Sequence, residues 1–237
     1  MWLVVRLEDR CMDGYRIETH LHTKHTSECG WLDARTLVEE YHKAGYSAIA
    51  VTDHYSRITF NYLGINTVMP GNGADRFFTG YYRMKEEGAR RGLRIYKGAE
   101  LCFDEGCNDY LLFNYPDGLL SEPEEIFRMG IAAFAPLARS AGALLIQAHP
   151  FRNKCTPVSA CYLDGVEIVN GSPRYENHND QAEWYARQFD LICTGGSDCH
   201  RIEDVGRSGI VAPALPENDD AFAQLLRESK YTIIPAK

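Results

Sequence analysis

Short apolar runs alternate along the chain with longer stretches whose apolar residues recur every three or four positions. The two periods separate strands from helices. Runs at 15–21 (YRIETHL), 47–52 (SAIAVT), 94–100 (RIYKGAE), 110–114 (YLLFN), 143–148 (ALLIQA), 164–169 (DGVEIV), 191–195 (LICTG), 208–212 and 231–234 read as strands. Segments 33–45, 74–91, 123–141, 176–189 and 217–228 read as helices, the first with Asp33 as N-cap and Gly45 at its end. Strands that take turns with helices predict βα units around a mostly parallel sheet. Residues 55–73, rich in Gly, Asn and aromatics, read as a long functional loop. No repeat or low-complexity linker divides the chain, and α/β barrels often run at this length, so residues 1–237 read as one domain.

The polar residues follow this pattern. His20 and His22 end the first strand, Asp53 and His54 follow the second, and Glu100 ends the third. His149 follows ALLIQA, Glu167 and Asn170 close VEIVN, and Asp198 and His200 follow LICTGGS. In parallel α/β folds, sites form at the C-terminal ends of the strands. His20-Leu21-His22 and Asp198-Cys199-His200 each place two donors on one face of an extended segment, because side chains alternate with period two. A carboxylate such as Glu100 at the end of an apolar strand is costly to bury unless it is paired or bound to metal. Taken singly, each motif also has a plain reading: a turn, a cap or a buried histidine. Their common placement at one end of the strands favours a metal site.

Charge and cysteines narrow the picture further. The formal net charge is −8 with a pI of about 5.5, which argues against broad nucleic-acid binding, since that favours basic surfaces. It leaves room for a phosphorylated substrate, because bound cations supply local positive charge. No run of about 18 apolar residues is present, so no membrane span is expected. The apolar patch in MWLVVRLEDRC is too short for a signal sequence. The eight cysteines are scattered, with no C-x-x-C pair, and read as reduced thiols of a cytoplasmic protein.

The series H-L-H (20–22), T-D-H (52–54), G-A-E (98–100), A-H-P-F-R (148–152), D-G-V-E-I-V-N (164–170) and G-S-D-C-H (196–200) resembles the PHP (polymerase and histidinol phosphatase) family over residues 17–212. The resemblance implies a distorted (β/α)7 TIM-like barrel carrying two or three divalent metal ions (Zn, Mn or Fe) and hydrolysing phosphoesters. It implies that His20, His22, Glu100 and Asp198 hold one metal. Glu100 would bridge to a second, which His149 also binds, and His54 and His200 would hold a third. Glu28 is the candidate for the third site's remaining ligand, with His25 as an outer or substrate contact. Many members carry a further His between the Glu100 and His149 positions. This chain has none between 55 and 148, and Asn108 or Asp109 falls about where it would stand.

A phosphorylated small molecule is the substrate this reading expects, with Asp198, His200 and Arg152 as the catalytic set. Arg152 is the candidate phosphate clamp, because a guanidinium fork matches phosphate geometry. Lys24, Arg57 and Arg174 are weaker candidates. Asp53 and Glu167 would orient ligands, and the aromatic residues of 55–63 would line the leaving-group pocket. Two alternatives stand beside this reading. An amidohydrolase-type enzyme cleaving C–N bonds also begins with H-x-H, but it would typically use a carbamylated lysine, and the third strand here ends in Glu100. The other is a PHP module that binds metal without catalysis.

Overall fold

The structure is a computed structural model that describes residues 14–67 and 74–237. The N-terminal apolar patch, Cys11 and the end of the 55–73 segment lie outside the described residues. The strands are β1 (Tyr15–Glu18), β2 (Tyr46–Val51), β3 (His54–Tyr55), β4 (Arg94–Cys102), β5 (Asp109–Phe113), β6 (Leu144–Gln147), β7 (Gly165–Asn170), β8 (Ile192–Gly196), β9 (Gly209–Ala212) and β10 (Thr232–Ile234). The helices are α1 (Ala34–Lys43), α2 (Arg57–Tyr62), α3 (Ala74–Phe77), α4 (Thr79–Arg91), α5 (Pro123–Ser140), α6 (Asn179–Gln188) and α7 (Asp219–Glu228).

The strands hydrogen-bond in the order β10-β9-β1-β2-β4-β5-β6-β7-β8, with β3 added beside β4. β1, β2 and β4 run parallel to one another, as do β6, β7 and β8. β5 is antiparallel to both of its neighbours. The reason is local: only residues 103–108 separate β4 from β5, too few for a parallel crossover. β9 and β10 are likewise antiparallel additions. The sheet curls until its ends nearly meet. Thr19 Oγ1 donates to Gly195 O at 2.8 Å, Cys199 N to His20 O at 3.2 Å, and His22 N to Cys199 O at 3.0 Å. The result is a barrel-like α/β fold, stitched shut at the strand ends that carry the histidines.

Strand periodicity sorts the core into two faces. Ile17, Ala48, Ala50, Tyr96, Leu111 and Ile146 meet one another and Phe222 of α7. Their neighbours Ile49, Val51 and Ile95 pack instead against Leu37 and Val38 of α1 and Met84 of α4. Helix α1 starts where the sequence places it. Asp33 accepts a hydrogen bond from Thr36 N at 2.9 Å, and Lys24 Nζ sits 3.0 Å from the same carboxylate. These bonds hold the Asp33 carboxyl down at about 2. Asp33→Ala is expected to lower stability by about 1 kcal/mol in urea unfolding at pH 7. The cap's contribution is fully present above the usual carboxyl value of 3.8 and fades as pH falls through about 2, so the two proteins converge there. A variant as stable as the parent at neutral pH would remove Asp33 from the capping role.

Three sequence expectations need correction. The 55–73 loop contains structure: Ser56 caps α2, accepting from Thr59 N at 3.2 Å. Tyr55 and Phe60 do not line a pocket. They are buried in an aromatic core with Phe77 and Phe127, and the Tyr55 hydroxyl donates to Leu120 O at 2.9 Å. The 74–91 helix is two pieces, α3 and α4, parted at Phe78. Within α5, Gly130 takes a left-handed φ of 73°, and the amide of Ile131 turns to Glu105 Oε1 at 2.7 Å. No helix among the described residues is long and apolar enough to cross a membrane.

Candidate metal centre

Glu100, near the end of β4, stands at the middle of the cluster and is fully buried. Its Oε1 lies 3.1 Å from His20 Nε2 and 3.2 Å from His149 Nε2. Its Oε2 lies 3.3 Å from His22 Nε2 and 2.9 Å from His54 Nδ1. Asp198 Oδ1 lies 3.5 Å from His20 Nε2 and 3.3 Å from His22 Nε2. His20 Nε2 and His22 Nε2 are themselves 3.1 Å apart. Six strand-end residues predicted from sequence (His20, His22, His54, Glu100, His149 and Asp198) therefore point lone pairs into one small volume. His200 joins them, its ring stacked on that of His22 with centroids 4.4 Å apart.

One atom is diagnostic. Glu100 Oε2 is buried, sits close to two imidazole nitrogens, and makes no hydrogen bond. A buried carboxylate oxygen without a partner is costly. Imidazole and carboxylate groups that converge on a common point, one of them with a buried oxygen left over, suit a cation between them. Donor groups that fit a metal ion recur across the cluster: His20, His22 and Glu100; His20, His149 and Asp198; His54, Glu100 and Asp109; and His22, Cys29, His54 and His200. Imidazole and carboxylate together suit Zn²⁺, Mn²⁺ or Fe²⁺ better than Ca²⁺.

Electrostatics without an ion show how tightly the charges are coupled. Burial would depress His20, but Glu100, Glu167 and Asp198 around it win and hold its imidazole well above the usual range. Burial drives His22 well below it, and the neighbouring His54 and His200 add to that. Burial would raise Asp198, yet His20 and Arg152 hold it well below the ordinary carboxyl value. Asp109 goes the other way, raised by burial and by Glu100. Such opposed shifts in one cluster mark functional sites.

A second ring of contacts orients the donors. Glu167 Oε1 sits 2.9 Å from His20 Nδ1, and Glu167 Oε2 accepts from His149 N at 3.1 Å and Asn170 Nδ2 at 2.9 Å. The His200 Nδ1 is 2.8 Å from the Asp198 carbonyl, which leaves Nε2 for a ligand. The Asp53 carboxylate bonds Thr23 and Ser27, not His54. It accepts from Thr23 N and Ser27 Oγ, each at 2.7 Å, and Ser27 Oγ in turn accepts from His54 N at 2.9 Å. Asp53 thus fixes the 23–27 turn, and through Ser27 the approach of His54. Helix α4 presses on this turn. A Cβ at Gly80 would fall 2.3 Å from Asp53 Oδ2, so only glycine lets the helix come so near. His149 and Asp198 both adopt left-handed backbone, φ 28° and 51°, sparsely populated for such residues and typical of places where function holds a strained turn.

Several sequence candidates sit elsewhere. The Glu28 carboxylate accepts from Thr59 Oγ1 at 2.7 Å, and the adjacent Cys29 faces His54 and His200 in its place. His25 turns outward to Ala34 N and Arg83. Asn108 Oδ1 accepts from Thr156 N at 2.9 Å, whereas Asp109 reaches the cluster, 3.9 Å from His149 Nε2. Arg152 lies against the cluster but is engaged: Nη2 donates to Asp198 Oδ2 at 2.6 Å and Asn170 Oδ1 at 2.9 Å, and Nε to Asn177 Oδ1 at 2.9 Å. Lys24, Arg57 and Arg174 pair with Asp33, with Asp104 and Glu124, and with Asp204. A cavity of about 670 Å³ lies beside β5, lined by Asn108, Tyr110, Lys154 and Tyr162 among others. None of the cluster donors lines it, and the convergent polar groups, not that cavity, mark the site.

Sequence reasoning missed Cys29 and Glu18. Glu18 is wholly buried, and its Oε1 accepts from Thr19 N, His20 N and Ser197 N, each at 2.9 Å, while Oε2 accepts from the Tyr41 hydroxyl at 2.7 Å. A charged residue in the middle of the first apolar strand was the available signal.

Comparison with known proteins agrees with this fold. Residues 176–231 match the PHP-associated family model. No curated protein matches the sequence. A two-domain protein from Bacteroides vulgatus, containing a predicted PHP-like metal-dependent phosphoesterase, superposes with a TM-score of 0.68 at 16% identity. The match covers 94% of this chain but only 65% of that one. PsfC from Pseudomonas syringae matches at TM-score 0.64 and 17% identity, over 95% of this chain and 93% of its own. An amidohydrolase from Chromobacterium violaceum, with bound sulfate and no metal, matches at TM-score 0.50 and 14% identity, over 91% of this chain and 97% of that one. At these identities the likeness is one of fold.

Proposed function

We propose that the chain is a PHP-family protein and a metal-dependent phosphoesterase acting on a small phosphorylated molecule. The observation that carries the reading is the buried, unbonded Glu100 Oε2 among four converging imidazoles and Asp198. In this reading His20, His22, Glu100 and Asp198 hold one ion, Glu100 and His149 a second with Asp109 as the further carboxylate, and His54 and His200 a third. Ions bound there supply an activated water, a grip on the phosphoryl oxygens and compensation for charge on the leaving oxygen. The protein's own side chains set the geometry. Glu167 fixes the His20 ring through Nδ1 and leaves Nε2 directed inward. Arg152 binds Asp198 Oδ2, so Oδ1 faces the imidazoles. This makes Arg152 a positioning residue in the resting site, and a phosphate would have to compete with Asp198 for its Nη2.

The seven described cysteines are all free, which supports a reducing, cytoplasmic setting. The continuous sheet supports reading the chain as one domain. The test pairs elemental analysis of the purified chain with hydrolysis of p-nitrophenyl phosphate, with and without added Mn²⁺. Two or three equivalents of Mn, Fe or Zn are expected, with turnover abolished by a chelator and restored by the ion. A chain that binds no transition metal and stays inactive after reconstitution would end the enzyme reading.

A further inference from the structure

One of the four groups of donors differs chemically from the other three, because it contains sulfur. The donor atoms of Cys29, His22, His54 and His200 all lie within 4.8 Å of one another. The rings of His54 and His200 each pack on the His22 ring, with centroids 4.3 and 4.4 Å from it, and lie 6.3 Å from one another, so the three imidazoles form one compact group. His200 Nδ1 is occupied by the Asp198 carbonyl at 2.8 Å, which leaves its Nε2 for a ligand. The His22 Nε2 faces Glu100 and Asp198 and belongs to the inner position. His54 and His200 thus remain with Cys29.

The placement of Cys29 is built, not incidental. Its loop is anchored on both sides. Asp53 grips Thr23 and Ser27 before it, and after it Gly30 N donates to Ser27 O at 3.1 Å and Trp31 N to His200 O at 2.9 Å. The last bond ties the backbone beside Cys29 directly to one of its partner histidines. Glu28, the carboxylate next to it, is held away by Thr59. Independently, the unbonded Glu100 Oε2 points at His54 and His22 from the inner side, so His54 stands between two donor groups that lack a central partner.

We propose that Cys29 is a thiolate ligand, completing with His54 and His200 a metal position that takes Zn²⁺ or Fe²⁺ in preference to Mn²⁺ or Mg²⁺. This rests on the reading of the cluster as a divalent-metal centre. Soft thiolate selects zinc and iron over the harder ions, and two imidazoles with one thiolate leave a fourth tetrahedral position open. Binding releases the thiol proton to solvent. The outer position then differs in kind from the two inner ones, which imidazole and carboxylate serve.

Cobalt is the probe, because a thiolate bound to Co²⁺ gives a charge-transfer band in the near ultraviolet that imidazole and carboxylate do not. The full chain, stripped and reloaded with Co²⁺, is expected to show the band. Cys29→Ser should lose the band and about one equivalent of cobalt, while Cys29→Asp should lose the band and keep the count. Cys155→Ser is the control, since Cys155 Sγ lies 3.8 Å from His149 Nδ1 and is the competing thiol; it should keep the band. In the unmutated chain, alkylation mapped by mass spectrometry should slow at Cys29 by tenfold or more on loading with Zn²⁺. A chain that binds cobalt and hydrolyses p-nitrophenyl phosphate without a thiolate band would overturn the thiolate ligand alone. So would a band that survives Cys29→Ser, or alkylation at Cys29 indifferent to zinc. A chain that binds no cobalt overturns the metal centre beneath it as well.

Discussion

Asp198→Asn is expected to lose bound metal and turnover together, with kcat/KM on p-nitrophenyl phosphate falling by about 10³-fold or more, equivalent to roughly 4 kcal/mol of transition-state stabilisation. The carboxylate has two faces with different tasks. Oδ1 looks at His20 Nε2, His22 Nε2 and His200, and Oδ2 accepts from Arg152 Nη2 at 2.6 Å. An amide can satisfy only one face. With its nitrogen toward the imidazoles it offers a donor where an ion needs a lone pair. With its nitrogen toward Arg152 it opposes two donors and leaves the guanidinium without its carboxylate, held only by Asn170 and Asn177, and removing one partner of a buried ion pair is costly. The lost charge also weakens the hold on His20 and His200, whose protonated forms Asp198 favours in the ion-free site. Elemental analysis and steady-state kinetics on the same preparation check the prediction. Full metal content with unimpaired turnover would remove Asp198 from the proposed ligand set.

What was readable in advance follows from where each residue gets its geometry. Strands were legible because burial on a sheet face leaves a period in the sequence, and the strand-end donors His20, His54, Glu100, His149 and Asp198 were legible as polar residues closing apolar runs. The sense of β5 was not readable from its own residues, since it depends on the shortness of the 103–108 connection. Helix α2 was hidden by Thr, Phe, Asn and Tyr, which favour helices weakly, and only Ser56 signalled its start. Cys29 was unreadable for a different reason. The turn that carries it is fixed by Asp53, about 26 to 30 positions later in the chain, so no local period could tell Glu28 from Cys29 as the inward residue. Arg152 was found by position, but its engagement with Asn170, Asn177 and Asp198 is a tertiary fact.

The same argument makes Glu18→Ala the substitution with the largest expected cost in stability. Glu18 is 0% exposed, and its carboxylate joins three stretches of chain: its own strand through Thr19 N and His20 N, the β8 end through Ser197 N, and α1 through Tyr41. Alanine would strand these donors in a buried space and leave a cavity. Each unsatisfied group costs about 1–3 kcal/mol, with partial relief from relaxation, so a loss of about 4 kcal/mol is expected. In thermal unfolding that corresponds to a fall in Tm of about 10 °C for a chain of this size. Glu18→Gln keeps the oxygen that the three amides use and turns its amide toward Tyr41, whose hydroxyl can accept; its cost should stay near 1 kcal/mol. Because His20 and Ser197 flank the seam where the sheet closes, the alanine variant should also bind metal about tenfold or more weakly, as when a group that orients a ligand is lost. The glutamine variant should bind as the parent does. If alanine unfolds within about 1 kcal/mol of the parent, the carboxylate is not what closes the barrel, and the bonds of Thr19 Oγ1 and the 20–22 segment to β8 and Cys199 must carry that closure alone.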